Sequence, residues 1–129
     1  GRESAKSNLR DHITKVMTHF SDDVCCWDVV NEAISDNSNT IYREDSMWYK
    51  AYGNATFIRD AFIFASASGT DSLLFYNDYN VVDSKKRNKI VQMIKEQNLI
   101  EAGLDGIGIQ AHWSLDYPTI NSIQYTVYN

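Results

Sequence analysis

One proline, six glycines and two cysteines in 129 residues rule out several classes of protein at the outset. Cys25 and Cys26 are adjacent in a segment that predicts a strand, so their side chains are expected on opposite faces and a disulfide framework is excluded. They read as two small buried hydrophobes. No stretch approaches the roughly 20 apolar residues of a membrane span, and the opening Gly1-Arg2-Glu3-Ser4 is not a signal peptide. Positive charge is scarce. Twelve Lys and Arg against 17 Asp and Glu give a net charge of −5, which argues against nucleic acid or an anionic membrane as the main partner. The densest basic run, Lys85-Lys86-Arg87 with Lys89, reads as the solvated face of a helix. No Gly-rich phosphate loop follows any apolar run, so a nucleotide site is disfavoured. His12 and His19 have no third ligand in step with them, so neither a metal nor a cofactor is expected. Low-complexity segments and linkers are also lacking, which fits one compact body.

What is present is a regular alternation of elements. Leu9, Ile13, Val16, Met17 and Phe20 recur at helical spacing and predict a helix over roughly residues 4–20. A strand follows at Val24 to Val30. After the turn-rich Asp36 to Asn39, Phe57, Ile58, Ala61, Phe62 and Ala65 mark a second helix closed by Gly69. Leu73 to Tyr76 reads as a short buried strand, Ile90, Val91 and Ile94 as a third helix with Asn98 and Gly103 at its exit, and Gly106 to Ile109 as a third strand. Beyond Pro118, Ile120, Ile123, Tyr125 and Val127 suggest a fourth helix. Strands alternating with helices predict an α/β fold with parallel pairing and right-handed crossovers.

In such a sheet the residues after each strand emerge at one edge. The three tips are Asn31-Glu32, Asn77-Asp78-Tyr79-Asn80 and Gln110-Ala111-His112-Trp113. A carboxylate, amides, an imidazole and aromatic rings converge there. Amides with aromatic platforms suit a sugar, whose hydroxyls need many hydrogen bonds and whose C–H faces stack on rings. The plainer alternative for Asn31-Glu32 taken alone is the opening of a solvated loop. Asn54-Ala55-Thr56 fits a glycosylation sequon, but at a helix start capping is the simpler reading. Trp48, Tyr49 and Tyr52 are expected to pack a loop rather than line a sugar site.

The segments Trp27-Asp28-Val29-Val30-Asn31-Glu32-Ala33, Tyr76-Asn77-Asp78-Tyr79-Asn80 and Asp105-Gly106-Ile107-Gly108-Ile109-Gln110-Ala111-His112-Trp113, in this order, resemble glycoside hydrolase family 10, the retaining endo-β-1,4-xylanases. The first motif is shared in looser form by other barrel glycosidases; the three together are specific. The resemblance implies that residues 1–129 are an incomplete family 10 catalytic domain, a partial (β/α)8 TIM barrel comprising strands 4 to 6 with flanking helices. On that mapping Glu32 is the general acid/base and Asn31 bonds the 2-hydroxyl of the sugar being cleaved. Gln110 and His112 lie around the same sugar, with His112 steadying the nucleophile. Asn77, Tyr79 and Asn80 form the rim on the leaving-group side, and Trp113 has no assigned role. The implied partner is xylan or xylo-oligosaccharide, and the implied location secreted or periplasmic, since a polymer cannot cross a membrane. The oligomeric state stays open.

A retaining glycosidase needs two carboxyl groups about 5–5.5 Å apart. The family's nucleophile is a Glu at the end of strand seven, expected beyond Asn129. Asp78 is not taken as its substitute; hydrogen bonding within the loop is its expected role. The 129-residue chain alone is therefore expected to be inactive, and to be marginal in solution because three parallel strands leave two bare edges. The alternatives are a non-catalytic or degenerate barrel that binds β-glycans, or a related glycosidase acting on β-glucan or mannan; the Gln110-Ala111-His112 tip favours a xylanase.

Overall fold

The computed structural model describes residues 1–128. Helix α1 (Arg2–His19) leads into strand β1 (Cys26–Asn31), and a loop then reaches the short helix α2 (Met47–Tyr52) and helix α3 (Thr56–Ser66). Strand β2 (Leu73–Tyr79), helix α4 (Ser84–Glu96), the single turn α5 (Leu99–Ala102), strand β3 (Gly106–Gln110) and helix α6 (Ile120–Tyr128) complete the order. The predicted elements are present, with α2 and α5 in addition. Ser46 starts α2 by accepting a hydrogen bond from the Tyr49 N–H, and Gly53, at φ +78°, ends it in the left-handed region that glycine enters without a Cβ clash. Asn54 lies one residue before the N-cap Ala55 and not at the cap itself, its Oδ1 accepting from the Thr56 N–H at 3.0 Å.

All three strands are parallel, in the order β1-β2-β3. Cys26 pairs with Leu73 and Asn31 with Asn77, with an irregularity in register between Asp28 and Val30. Phe75 pairs with Gly106, Asn77 with Gly108 and Tyr79 with Gln110. Side chains along β2 alternate, so Leu74, Tyr76 and Asp78 turn inward against the helices while Leu73, Phe75, Asn77 and Tyr79 face the other way. The core between sheet and helices is built on Ile34, Ile58, Phe62, Tyr76, Met93 and Leu99, all fully buried. Within it, the α3 stripe Phe57, Ile58, Ala61, Phe62 and Ala65 falls where its periodicity places it.

Three expectations need correction. β2 runs to Tyr79 instead of stopping near Tyr76, so Asn77 to Tyr79 are strand residues with alternating directions, and one face of the sheet is open, leaving Leu73 51% exposed. The cysteines are exposed, not buried. Cys25 precedes the strand, which frees it from strand alternation, and its sulfur lies 3.7 Å from that of Cys26. The basic run on α4 is not a solvated face, because Lys86 is 4% exposed and packs over the fully buried Asp78. A carboxylate without water needs a counter-charge, and Lys86 supplies it at 3.2 Å.

Breaking a buried ion pair by deleting one partner strands the other charge. Lys86→Met is therefore expected to cost about 3–5 kcal/mol of stability, read as a lowered urea midpoint, whereas Lys85→Met on the exposed side of α4 leaves the midpoint within about 0.5 kcal/mol of its starting value.

Candidate active site

The three strand ends meet as the parallel register requires. Asn31 Oδ1 accepts two amide hydrogens, from Asn77 Nδ2 at 2.9 Å and from Gln110 Nε2 at 3.1 Å. Gln110 Nε2 also donates to Glu32 Oε1 at 3.0 Å, and its own Oε1 lies 3.1 Å from His112 Nε2. With Gln110 Oε1 as acceptor, the His112 proton sits on Nε2. The result is a chain of polar side chains running His112, Gln110, Glu32 and Asn31, Asn77 across all three strands. Because the Asn31 oxygen is occupied twice, its nitrogen is the group left to donate outward.

Glu32 sits at φ +54°, a left-handed backbone conformation that a residue with a Cβ adopts at a cost of about 1–3 kcal/mol. Its N–H donates to the Asn77 carbonyl at 2.9 Å. The next two N–H groups, of Ala33 and Ile34, both donate to the Tyr76 hydroxyl, at 3.0 and 3.2 Å. Each donor that follows the strained residue thus has a fixed acceptor.

Beside this cluster lies an open groove of about 800 Å³. Tyr79, Asn80, Gln110, His112, Trp113 and Tyr117 line it with the loop residues Ser35, Asp36 and Ser38 and three lysines of α4. Asn80, at φ +55°, accepts from the Tyr117 hydroxyl at 3.2 Å. Tyr79 presents its ring to the groove, because its hydroxyl donates to Asp36 and accepts from Arg43 Nη2 at 3.1 Å while Lys86 Nζ lies 4.0 Å from the ring centroid. The Tyr79 hydroxyl, followed by Lys86, holds the Asp36 carboxyl below its ordinary range against the opposing effect of burial. Burial disfavours the Arg43 cation, yet Tyr79 and the carboxylates of Glu32 and Asp36 hold its pKa above the ordinary value.

All the predicted site residues lie along this edge. Asn31, Glu32, Asn77, Gln110 and His112 are joined by hydrogen bonds, and Tyr79 and Asn80 line the adjoining groove. Asp78 is separated from them, as its buried orientation dictates. Arg43, Lys86 and Tyr76 were not legible as site residues, and Asp36 was legible only as the start of a turn-rich loop after Glu32. The bonds that tie them to one another, to Tyr79 and to the segment after Glu32 reach 36 to 52 positions along the sequence, and among them only the apolar-to-acidic alternation of Tyr76 and Asp78 along β2 carried any signal. Among the described residues no group of three or more His, Cys, Asp or Glu side chains could hold a metal ion.

Gly108 is where the packing of this site can be read. A Cβ there would lie 2.5 Å from Asn77 Oδ1 and 3.2 Å from Asn77 Cβ. In open space Gly→Ala stabilises a strand by about 0.4–1 kcal/mol; here Gly108→Ala is expected to destabilise by about 1–3 kcal/mol and to displace the Asn77 amide from Asn31, checked by denaturant titration and a structure of the variant. Asp36 gives a pH signature. Its native pKa is depressed, so its contribution to stability is complete above the unfolded value of about 3.9 and is lost as pH falls through the native value. Asp36→Asn is expected to flatten the decline of the urea midpoint below about pH 4, leaving its slope between about pH 6 and 8 unchanged.

The model of glycosyl hydrolase family 10 matches residues 1–129. An endo-1,4-beta-xylanase of Geobacillus stearothermophilus is 38% identical over 127 residues, covering 98% of this chain and 38% of the relative. The crystal structure of xylanase XynB from Paenibacillus barcinonensis, complexed with a conduramine derivative, superposes with a TM-score of 0.90 at 36% identity, over 98% of this chain and 38% of that one. A xylanase 10C of Cellvibrio japonicus in complex with xylopentaose gives the same TM-score of 0.90 and identity of 36%, over 98% of this chain and 26% of that one. The chain thus spans 38% of the first of these relatives, and its three parallel strands with their helices are part of a (β/α)8 TIM barrel. Fold, rim chemistry and a family match from end to end agree, and the chain belongs to glycosyl hydrolase family 10.

Proposed function

We propose that these residues are the middle of a retaining endo-β-1,4-xylanase catalytic domain in which Glu32 is the general acid/base. The observation that carries the reading is the bond from Gln110 Nε2 to both Glu32 and Asn31, which ties a carboxyl group to an amide donor at the open end of a barrel strand. In the first half-reaction the Glu32 carboxyl gives its proton to the glycosidic oxygen as the bond to the leaving sugar breaks and a carboxylate attacks the anomeric carbon. In the second, Glu32 takes a proton from water as that water displaces the enzyme carboxylate. Asn31 donates its outward N–H to the 2-hydroxyl of the sugar being cleaved, and His112, oriented by Gln110, steadies the attacking carboxylate. Asn77, Tyr79 and Asn80 contact the leaving-group side, where the groove offers aromatic faces.

The attacking carboxylate comes from a part of the parent protein outside these residues. Asp78 is buried against Lys86, and Asp36 is engaged by Tyr79 and Lys86. The 129 residues alone are accordingly inactive. The substrate is xylan or xylo-oligosaccharide, in keeping with xylanases as relatives and with a neighbour that holds xylopentaose. Because a polymer stays outside the membrane, the parent works outside the cell or in the periplasm; no helix among the described residues is long and apolar enough to cross a membrane.

The test is hydrolysis of aryl β-xylobiosides by the chain alone, by a polypeptide extended to the length of the relatives, and by Glu32→Ala in the extended form. Turnover is expected from the extended form only. Glu32→Ala should lose about 10²–10⁴-fold on a poor leaving group and much less on dinitrophenolate, with added azide restoring turnover by replacing water in the second step. An extended form that binds xylo-oligosaccharide without turning it over would instead identify a non-catalytic sugar-binding barrel.

A further inference from the structure

The geometry points to Tyr76, Asp78 and Lys86 as positioning residues for Glu32, a buried relay that fixes the backbone following it; this rests on Glu32 being the acid/base. Tyr76 and Asp78 lie behind the rim, Lys86 reaches the wall of the groove, and all three are buried. The Tyr76 hydroxyl uses its full bonding capacity. It accepts from Ala33 N–H and Ile34 N–H and donates to Asp78 Oδ2 at 2.5 Å. Asp78 Oδ1 in turn accepts from the Tyr79 N–H at 2.8 Å and from Lys86 Nζ at 3.2 Å. The remaining two Lys86 hydrogens go to the Ile34 carbonyl at 3.4 Å and to Asp36 at 3.1 Å. The relay therefore closes on itself, since Ile34 is held at its N–H by Tyr76 and at its carbonyl by Lys86. One turn along α4, Lys89 Nζ donates to the Ser35 and Asn37 carbonyls at 2.9 and 2.6 Å.

Two features make this more than core packing. The segment held begins directly after Glu32, whose left-handed backbone persists only where its surroundings over-determine it. A buried phenol adjoining a carboxylate is also an expensive way to fill space, because each polar atom must be satisfied. Burial, and then the charge of Asp78, raises the Tyr76 pKa, which keeps the hydroxyl protonated and donating. Without that hydroxyl, Ala33 and Ile34 N–H lose their acceptor and Glu32 is free to relax toward an ordinary backbone conformation. A shift of about 1 Å in a reacting group costs on the order of 10²-fold in rate.

The experiment is a double-mutant cycle of Tyr76→Phe and Glu32→Ala in the polypeptide of relatives' length, with phenyl and dinitrophenyl β-xylobiosides. Tyr76→Phe keeps the ring that fills the core. It is expected to lower kcat on the phenyl substrate, which needs a proton donor to depart, by about 10- to 100-fold, to change dinitrophenyl cleavage by less than about threefold in the bond-breaking step, and to leave KM in place. In the Glu32→Ala background it should cost nothing further on the phenyl substrate, because a positioning residue acts through the group it positions. Equal losses on both substrates, no loss on either, or an undiminished loss without Glu32 would overturn the relay while leaving the acid/base role of Glu32 standing. If Glu32→Ala itself shows no dependence on the leaving group, the acid/base reading falls and takes the relay with it. Should Tyr76→Phe not fold, Asp78→Asn, which retains an acceptor for the Tyr76 hydroxyl but removes the charge it bonds, is judged by the same comparison: selective loss on the phenyl substrate supports the relay, and uniform loss or none overturns it.

Discussion

Parallel pairing in one register is the constraint from which everything else in this structure follows. Once Asn31 is opposite Asn77 and Tyr79 opposite Gln110, the three strand ends must share an edge, and short amide side chains are long enough to bridge them. Parallel strands lie about 4.8 Å apart, so Asn77 crosses one such gap and Gln110, on the far strand, crosses two to reach the same oxygen of Asn31. The register also dictates where bulk is forbidden. Gly108 faces Asn77 and Gly106 faces Phe75 at separations that leave no room for a Cβ. Gly108 thus belongs to the site as much as its polar residues do, although it offers no functional group.

Strand alternation then divides the labour. Asn77 and Tyr79 of β2 face the rim and the groove, while Tyr76 and Asp78, between and beside them, face the helices. A seven-residue strand consequently presents polar groups on both sides, with the inward pair reaching back to the segment behind Glu32. The arrangement offsets the strain at Glu32 locally. A backbone conformation that costs about 1–3 kcal/mol is surrounded by hydrogen bonds that each contribute about 0.5–1.5 kcal/mol net and would leave a costlier unsatisfied group if broken.

The strand ends and the helix stripes were legible in the sequence because each is a local pattern: an apolar run ending in Asn-Glu, or Phe57, Ile58, Ala61 and Phe62 at helical spacing. The supports of the site were not. Lys86 reads as a surface residue beside Lys85 and Arg87, and its burial becomes necessary only once β2 is known to extend through Asp78 and to turn that carboxylate inward. Cys25 and Cys26 were misplaced for a related reason. Their exposure depends on where β1 begins, two residues later than a run of apolar letters suggests, and strand boundaries are set by pairing partners rather than by hydrophobicity. α2 was missed because six residues are too few for a periodicity, and its signal was the pair of end markers, Ser46 and Gly53.

The two halves of the proposed reaction place different demands on the fold, and this chain meets one of them. An acid/base must give and take a proton along a fixed line, and every group that fixes Glu32 here belongs to the three strands, α4 or the loop between β1 and α2. The face of the sheet carrying Leu73 and Phe75 is open among the described residues, and α6 buries none of its side chains, so the hydrophobic closure of the barrel is not supplied from within. Preorganisation of the proposed acid/base is thus local, whereas the dry surroundings and second carboxylate that the proposed reaction requires depend on the closed barrel. Changes to the other strands would then alter the attacking group and the sugar it meets while leaving the geometry of Glu32 intact.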